Sequence, residues 1–159
     1  MENAQKEIKG FYKEYRYLDN FFVRLFDYDG KTYPTVEHAF QAAKTLNPEM
    51  KESIRKAATP AEAKFLGRQA IIRPDWESIK YQIMFDVVKA KFEQHPDLMR
   101  KLLDTGSAYL EETNRHHDNT WGNCVCDKCI NIEAINWLGE ILMRIRNDAF
   151  FTDNGILSK

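Results

Sequence analysis

Glu37, Gln41 and Lys44 sit within TYPTVEHAFQAAKT, Thr32 to Thr45, at spacings that gather them on one side of a helix. A carboxylate on such a face could serve as a base or steady positive charge, and an ammonium two turns along could meet a phosphate. Val36, Ala39, Phe40 and Ala43 recur at i, i+3, i+4 and i+7 and supply the buried stripe, with Thr35 as the cap. The helix is thus accounted for without its polar residues. At about 100° per residue these fall beside the apolar stripe, where a cleft wall would run. A glutamate in a first turn also simply favours the helix dipole, and that reading stands beside the functional one. His38 points away from the Glu37 stripe and is expected to be packed or at the surface.

A second group lies in NRHHDNTWGNCVCDKC, a stretch between Thr113 and Ile130 with neither helical nor strand period. Asp118 precedes Trp121-Gly122-Asn123, and a carboxylate beside an aromatic ring and a flexible glycine suits a ligand-binding loop. An Asx turn would equally explain Asp118. Arg73 and Asp75-Trp76 offer a cation, a carboxylate and a stacking surface, although a helix cap and a core ring account for the last two. Arg68, after Gly67, is a candidate phosphate contact or a solvated cation. Cys124, Cys126 and Cys129 have C-x-C-x-x-C spacing. The adopted reading is reduced structural thiols with no metal; a tetrahedral zinc completed by His116 or His117 is the alternative.

The 159 residues, 43% hydrophobic and 13% aromatic, suffice for one core, so a single domain over residues 1–159 is expected. A net charge of -1 excludes a globally basic nucleic-acid binder and leaves room for a local basic pocket. A phosphate-bearing small molecule is as compatible with that as a polymer. With no signal-like or membrane-length apolar run, the expectation is a soluble, cytoplasmic protein with no membrane partner. Asp29-Gly30 between apolar runs predicts a type I′ hairpin, a small antiparallel β element. Helices then follow from Thr35, from Asn47-Pro48 and from Thr59-Pro60-Ala61-Glu62, the last ending at Gly67. Asp75 should cap a long helix with Trp76, Ile79, Ile83, Val87 and Ala90 on its core face, ending at His95-Pro96. Asp97–Asp104 and Glu133–Arg146 complete the set, the last burying Ile135, Leu138, Leu142 and Ile145. The class is α+β, mainly α.

The ordered blocks YPTVEHAFQAAK, LGR, RPDW, KFEQHPDL, LLDTG, HDNTWGN and NWLGEILMRIR resemble the NADAR family, of YbiA-like fold, from about Phe11 to Arg146. The resemblance implies an N-glycosidase needing no cofactor. Family members hydrolyse phosphoribosylamino-pyrimidine intermediates of riboflavin synthesis or remove ADP-ribose from guanine in nucleic acids. It implies catalytic roles for Glu37, of the E-H-x-F-Q block, for Trp76 and for Asp118, with Asn20 at the asparagine of the S-N-F block. Lys44, Arg68, Arg73, Trp121 and Gly122 are then candidates for binding substrate. The chain departs from the family pattern at Asp19, where serine is usual, and at the cysteine segment that replaces a glycine-rich turn. A noncatalytic nucleotide or ADP-ribose binding module is the other function class that such a pocket would serve.

Overall fold

The computed structural model describes residues 6–153. The chain divides into two compact units, Asn20–His95 and Met1–Asp19 with Pro96–Lys159. Among the described residues the architecture is mainly helical with three two-stranded sheets.

In the first unit, strands β2 (Phe26–Tyr28) and β3 (Lys31–Tyr33) pair antiparallel through Asp29 and Gly30. Both turn residues have positive φ, 50° and 77°, as a type I′ turn requires. Helix α1 (Val36–Ala43) begins at Thr35, whose Oγ1 accepts from the His38 N–H. Helix α2 (Pro48–Arg55) is capped by Asn47 and α3 (Pro60–Gln69) by Thr59, each with proline at the first helical position. Helix α4 (Trp76–Gln94) ends where His95 Nε2 donates to Leu25 O at 2.7 Å. The Gln94 amide exchanges two hydrogen bonds with the Asp27 backbone, clamping α4 to β2.

All eight residues of α1 are buried, because α2, α3 and α4 surround it. His38 is therefore a core residue rather than a surface one: Nδ1 accepts from Thr35 Oγ1–H at 2.7 Å and Nε2 donates to Ala57 O at 3.0 Å. Burial lowers its pKa, against the smaller opposing effect of the Ala57 bond, which favours the neutral ring those contacts need.

Three expectations are corrected here. Gly67 does not end α3, which runs on to Gln69. A Cβ on Gly67 would lie 1.9 Å from Gln41 Oε1, so the glycine is there for close approach of α1, not for a turn. Asp75 stands at the N-cap of α4 without a side-chain capping bond, because Arg73 takes its carboxylate. Along α4, Trp76 and Val87 are buried as expected, but Met84, Phe85, Val88 and Phe92 fill the core while Ile79, Ile83 and Ala90 are half-buried.

In the second unit, β1 (Glu7–Lys9) pairs parallel with β4 (Tyr109–Glu111), and β5 (Thr113–Asn114) pairs parallel with β6 (Asn123–Cys124). These two parallel pairs are sheets separate from the antiparallel hairpin, and their strands are too short to carry a period. Helix α5 (Pro96–Asp104) packs with α6 (Trp137–Asp153), which also lies on β4. The last helix starts four residues later than expected. Asn136 is in the left-handed region at φ 57°, so the helix cannot begin before it, and Ile135 is exposed at 54% instead of buried. Leu138, Ile141, Leu142 and Ile145 form the buried face. Gly139 permits that packing, since a Cβ there would meet Leu110 O at 2.1 Å.

Candidate active site

Glu37 occupies the first turn of α1, and its backbone N–H donates to Asn20 O at 3.1 Å. Asn20 thus fixes the helix start with its main chain, while its side-chain Nδ2 faces Met84 Sδ at 3.6 Å. One turn on, Gln41 Nε2 donates to Glu37 Oε1 at 2.7 Å. Both side chains are buried, and among the described residues Gln41 Oε1 has no hydrogen-bond partner. It is pressed toward Gly67, where no side chain stands. The amide is held from behind by α3 and in turn orients the carboxylate.

Lys44 caps the same helix at its C-terminal end. Its Nζ lies 5.7 Å from the centre of the Phe40 ring, and Phe40 in turn packs on Trp76 with ring centres 5.0 Å apart. Burial lowers the Lys44 pKa, Glu37 raises it, and Lys64, Arg68 and Lys80 each lower it further. Lys44 therefore feels three further cations and one carboxylate, Glu37, while Lys80 is itself paired with Glu77 at 2.6 Å. Lys64 and Lys80 do not stand out in the sequence. The available signal is the i, i+4 spacing of Lys64 to Arg68 and of Trp76 to Lys80, which puts each cation on the face of a residue already singled out.

Arg73 is placed differently. Its backbone N–H donates to Lys44 O at 2.8 Å, while its guanidinium forks onto Asp75, with Nε to Oδ1 at 2.6 Å and Nη2 to Oδ2 at 3.0 Å. The Arg73 hydrogen bond holds the Asp75 pKa below its usual value. Trp76 is 5% exposed, with its ring packed against Phe40.

In the other unit, Asp118 Oδ1 accepts from the N–H groups of Thr120 at 3.0 Å and Trp121 at 2.8 Å. This is the Asx turn. The turn aims the carbonyls of Thr120 and Trp121 at the start of α6, where they accept from Trp137 N and Leu138 N, both at 3.0 Å. The Trp121 and Trp137 rings meet edge to face at 5.3 Å. Gly122 is buried against Glu112, whose carbonyl would lie 2.1 Å from any Cβ there. The structure thus brings Glu37, Gln41, Lys44, Arg68 and Trp76 together in one unit, and places Asp118, Trp121 and Gly122 together in the other.

A family model described as the NADAR domain matches residues 4–149. The chain belongs to the NADAR family. Among curated NADAR relatives, N-glycosidase YbiA of Escherichia coli strain K12 is 39% identical over 147 residues, covering 89% of this chain and 88% of that protein. The chloroplastic riboflavin biosynthesis protein PYRR of Zea mays is 35% identical over 133 residues, 76% of this chain but 20% of that longer protein. The NMR structure of E. coli YbiA superposes with a TM-score of 0.82 at 35% identity, covering 94% of this chain and 89% of that one. The NADAR fold expected from the sequence blocks is therefore the fold observed. No described helix is long and apolar enough to cross a membrane.

Proposed function

We propose that the protein hydrolyses the C1′–N bond of a phosphorylated ribosyl compound, with Glu37 as the catalytic carboxylate and the cations around Lys44 as the phosphate site. Membership of the NADAR family and the likeness to an N-glycosidase support N-glycosyl hydrolysis as the reaction class. The observation that carries the finer reading is the buried Glu37–Gln41 pair on the same helix as a half-buried lysine crowded by like charges. From Glu37 to Lys44 the helix rises about 10 Å. A ribose with its 5′-phosphate, met by a lysine side chain, bridges such a span.

Cleavage of the C1′–N bond leaves the electron pair on nitrogen and positive charge on the sugar. Water then adds its oxygen to C1′, one water proton going to the departing nitrogen. Glu37, aimed by Gln41, opposes the sugar charge or takes the water proton in transit. Asp118 is assigned to holding the loop that carries Trp121 and Gly122, because Oδ1 is already bonded to two loop N–H groups. Arg68 joins Lys44 at phosphate; Arg73, engaged by Asp75, does not.

Two substrates fit this chemistry, a ribosylaminopyrimidine phosphate of the riboflavin route and ADP-ribosylated guanine. The riboflavin name of the maize relative favours the first. Incubation with each, followed by chromatography of the released base, tests the proposal. Release from the ribosylaminopyrimidine phosphate is expected, and binding of both without release would overturn it in favour of a binding module.

Gly67→Ala probes the support of Glu37 from behind. The new Cβ must displace the Gln41 amide, and an overpacking cost of about 1–3 kcal/mol is offset by about 1 kcal/mol of better helix propensity. Stability should fall by less than about 2 kcal/mol. Turnover should fall on the order of tenfold through loss of carboxylate orientation. Unchanged turnover in this variant would show that Gln41 does not position Glu37.

A further inference from the structure

His117, Cys124, Cys126 and Cys129 converge in the segment from β5 through the 3-10 turn Asp127–Cys129, and all three cysteines are free. His117 Nδ1 lies 3.4 Å from Sγ of Cys129 and 3.4 Å from Sγ of Cys126. The His117 backbone N–H donates to Cys124 Sγ at 3.3 Å. The four ligand atoms all lie within 4.8 Å of one another. Bonds of about 2.3 Å to sulfur and 2.0–2.1 Å to nitrogen, at tetrahedral angles, imply N···S edges of about 3.6 Å and S···S edges of about 3.8 Å. The two observed N···S edges are within a few tenths of that figure.

We propose that these four side chains bind one Zn²⁺ in a closed Cys₃His site that organises the loop. Three sulfurs and one imidazole nitrogen gathered around a single centre suit a mononuclear, borderline-soft, tetrahedral ion. Four protein ligands leave no open position for substrate, so the ion is structural rather than catalytic. His116 is not part of the set: its backbone N–H donates to Asn114 Oδ1, while the following residue supplies the ring.

The local backbone fits this assignment. His117 has φ 67°, an uncommon conformation for a non-glycine residue that the surrounding structure must hold in place. A metal bond to its ring would do so. The next residue is Asp118, whose turn presents Thr120 O and Trp121 O to the start of α6. Asn119 joins the two features, with Oδ1 accepting from Cys124 N at 3.0 Å and its carbonyl from Ile135 N at 2.8 Å. The ion would thus tie down one end of the loop whose other end seats the helix. This assignment is independent of the reaction proposed above.

The test uses the full-length protein, produced without a metal-binding tag in zinc-supplemented medium and passed over a mild chelator. Elemental analysis should give about one zinc per chain. Cys126→Ser, at a half-buried position where folding is least at risk, should retain less than about a tenth of that. Replacement of the metal by Co²⁺ should give the intense visible bands of a tetrahedral site with thiolate-to-cobalt charge transfer. In Cys126→Ser at saturating cobalt that charge transfer should drop by about one third, as three thiolates become two. Chelator-stable zinc that is equal in wild type, Cys126→Ser and His117→Ala would overturn the site. So would folded wild-type protein with three titratable thiols and less than about a tenth of an equivalent of zinc.

Discussion

Replacing Glu37 with Gln is expected to lower kcat by a factor of about 10² to 10⁴ while leaving the protein folded, since a positioned acid or base contributes about that much. The substitution removes charge at almost unchanged volume. The new side-chain carbonyl can still accept from Gln41 Nε2, and the backbone bond to Asn20 O is untouched. Any loss is therefore a loss of carboxylate chemistry rather than of α1. The measurement is single-turnover release of base, together with a thermal melt that should match wild type within a few degrees. Asp118 supplies the contrast. Asp118→Asn keeps an oxygen for the Thr120 and Trp121 N–H groups and should retain activity within about tenfold, whereas Asp118→Ala unties the turn. A folded Glu37→Gln variant with wild-type turnover, or an Asp118→Asn variant as inactive as Glu37→Gln, would move the catalytic role elsewhere.

The hairpin at Asp29-Gly30 and the starts of α1, α2 and α3 are legible in the amino-acid sequence, because a left-handed turn or a cap depends on residues within three or four positions. What is not legible there depends on contacts between distant segments. Gly67 carries the same letter whether it ends a helix or makes room for another. Only the approach of Gln41 from α1 distinguishes the two. The start of α6 is likewise set from outside, by carbonyls of residues 120 and 121, and by Asn136 in a conformation its sequence neighbours do not announce. Strands of two or three residues, such as β5 and β6, are too short for alternation to show. In the site, the carboxylate, amide and ammonium of α1 are visible as a stripe. The opposing cations on α3 and α4 are only half visible, since Lys64 and Lys80 look like ordinary solvated residues until the helices pack.

Those cations lead to the second large expected effect. Lys44→Met should lower kcat/KM for a phosphorylated substrate by about tenfold to a hundredfold, and for its dephosphorylated form by less than about threefold. The larger factor corresponds to one charge-assisted hydrogen bond of about 1.5–3 kcal/mol. Methionine keeps an aliphatic stem over the Phe40 ring, so the wall built from Phe40 and Trp76 is retained. The protein itself should not be destabilised by the change. Burial and the charges of Lys64, Arg68 and Lys80 all work against a protonated Lys44, with Glu37 opposing them, so removing the ammonium relieves repulsion in the unliganded state. An arrangement that is electrostatically unfavourable alone becomes favourable when an anion arrives, and a substrate phosphate is such an anion. Salt provides the second reading. Raising ionic strength from about 0.05 to about 0.5 M should weaken KM for the phosphorylated substrate in wild type more than in Lys44→Met, because screening acts on a charge the variant lacks. Equal losses for the phosphorylated and dephosphorylated forms would mean that Lys44 shapes the pocket without meeting phosphate. The anion would then have to be sought at Arg68 or outside this helix.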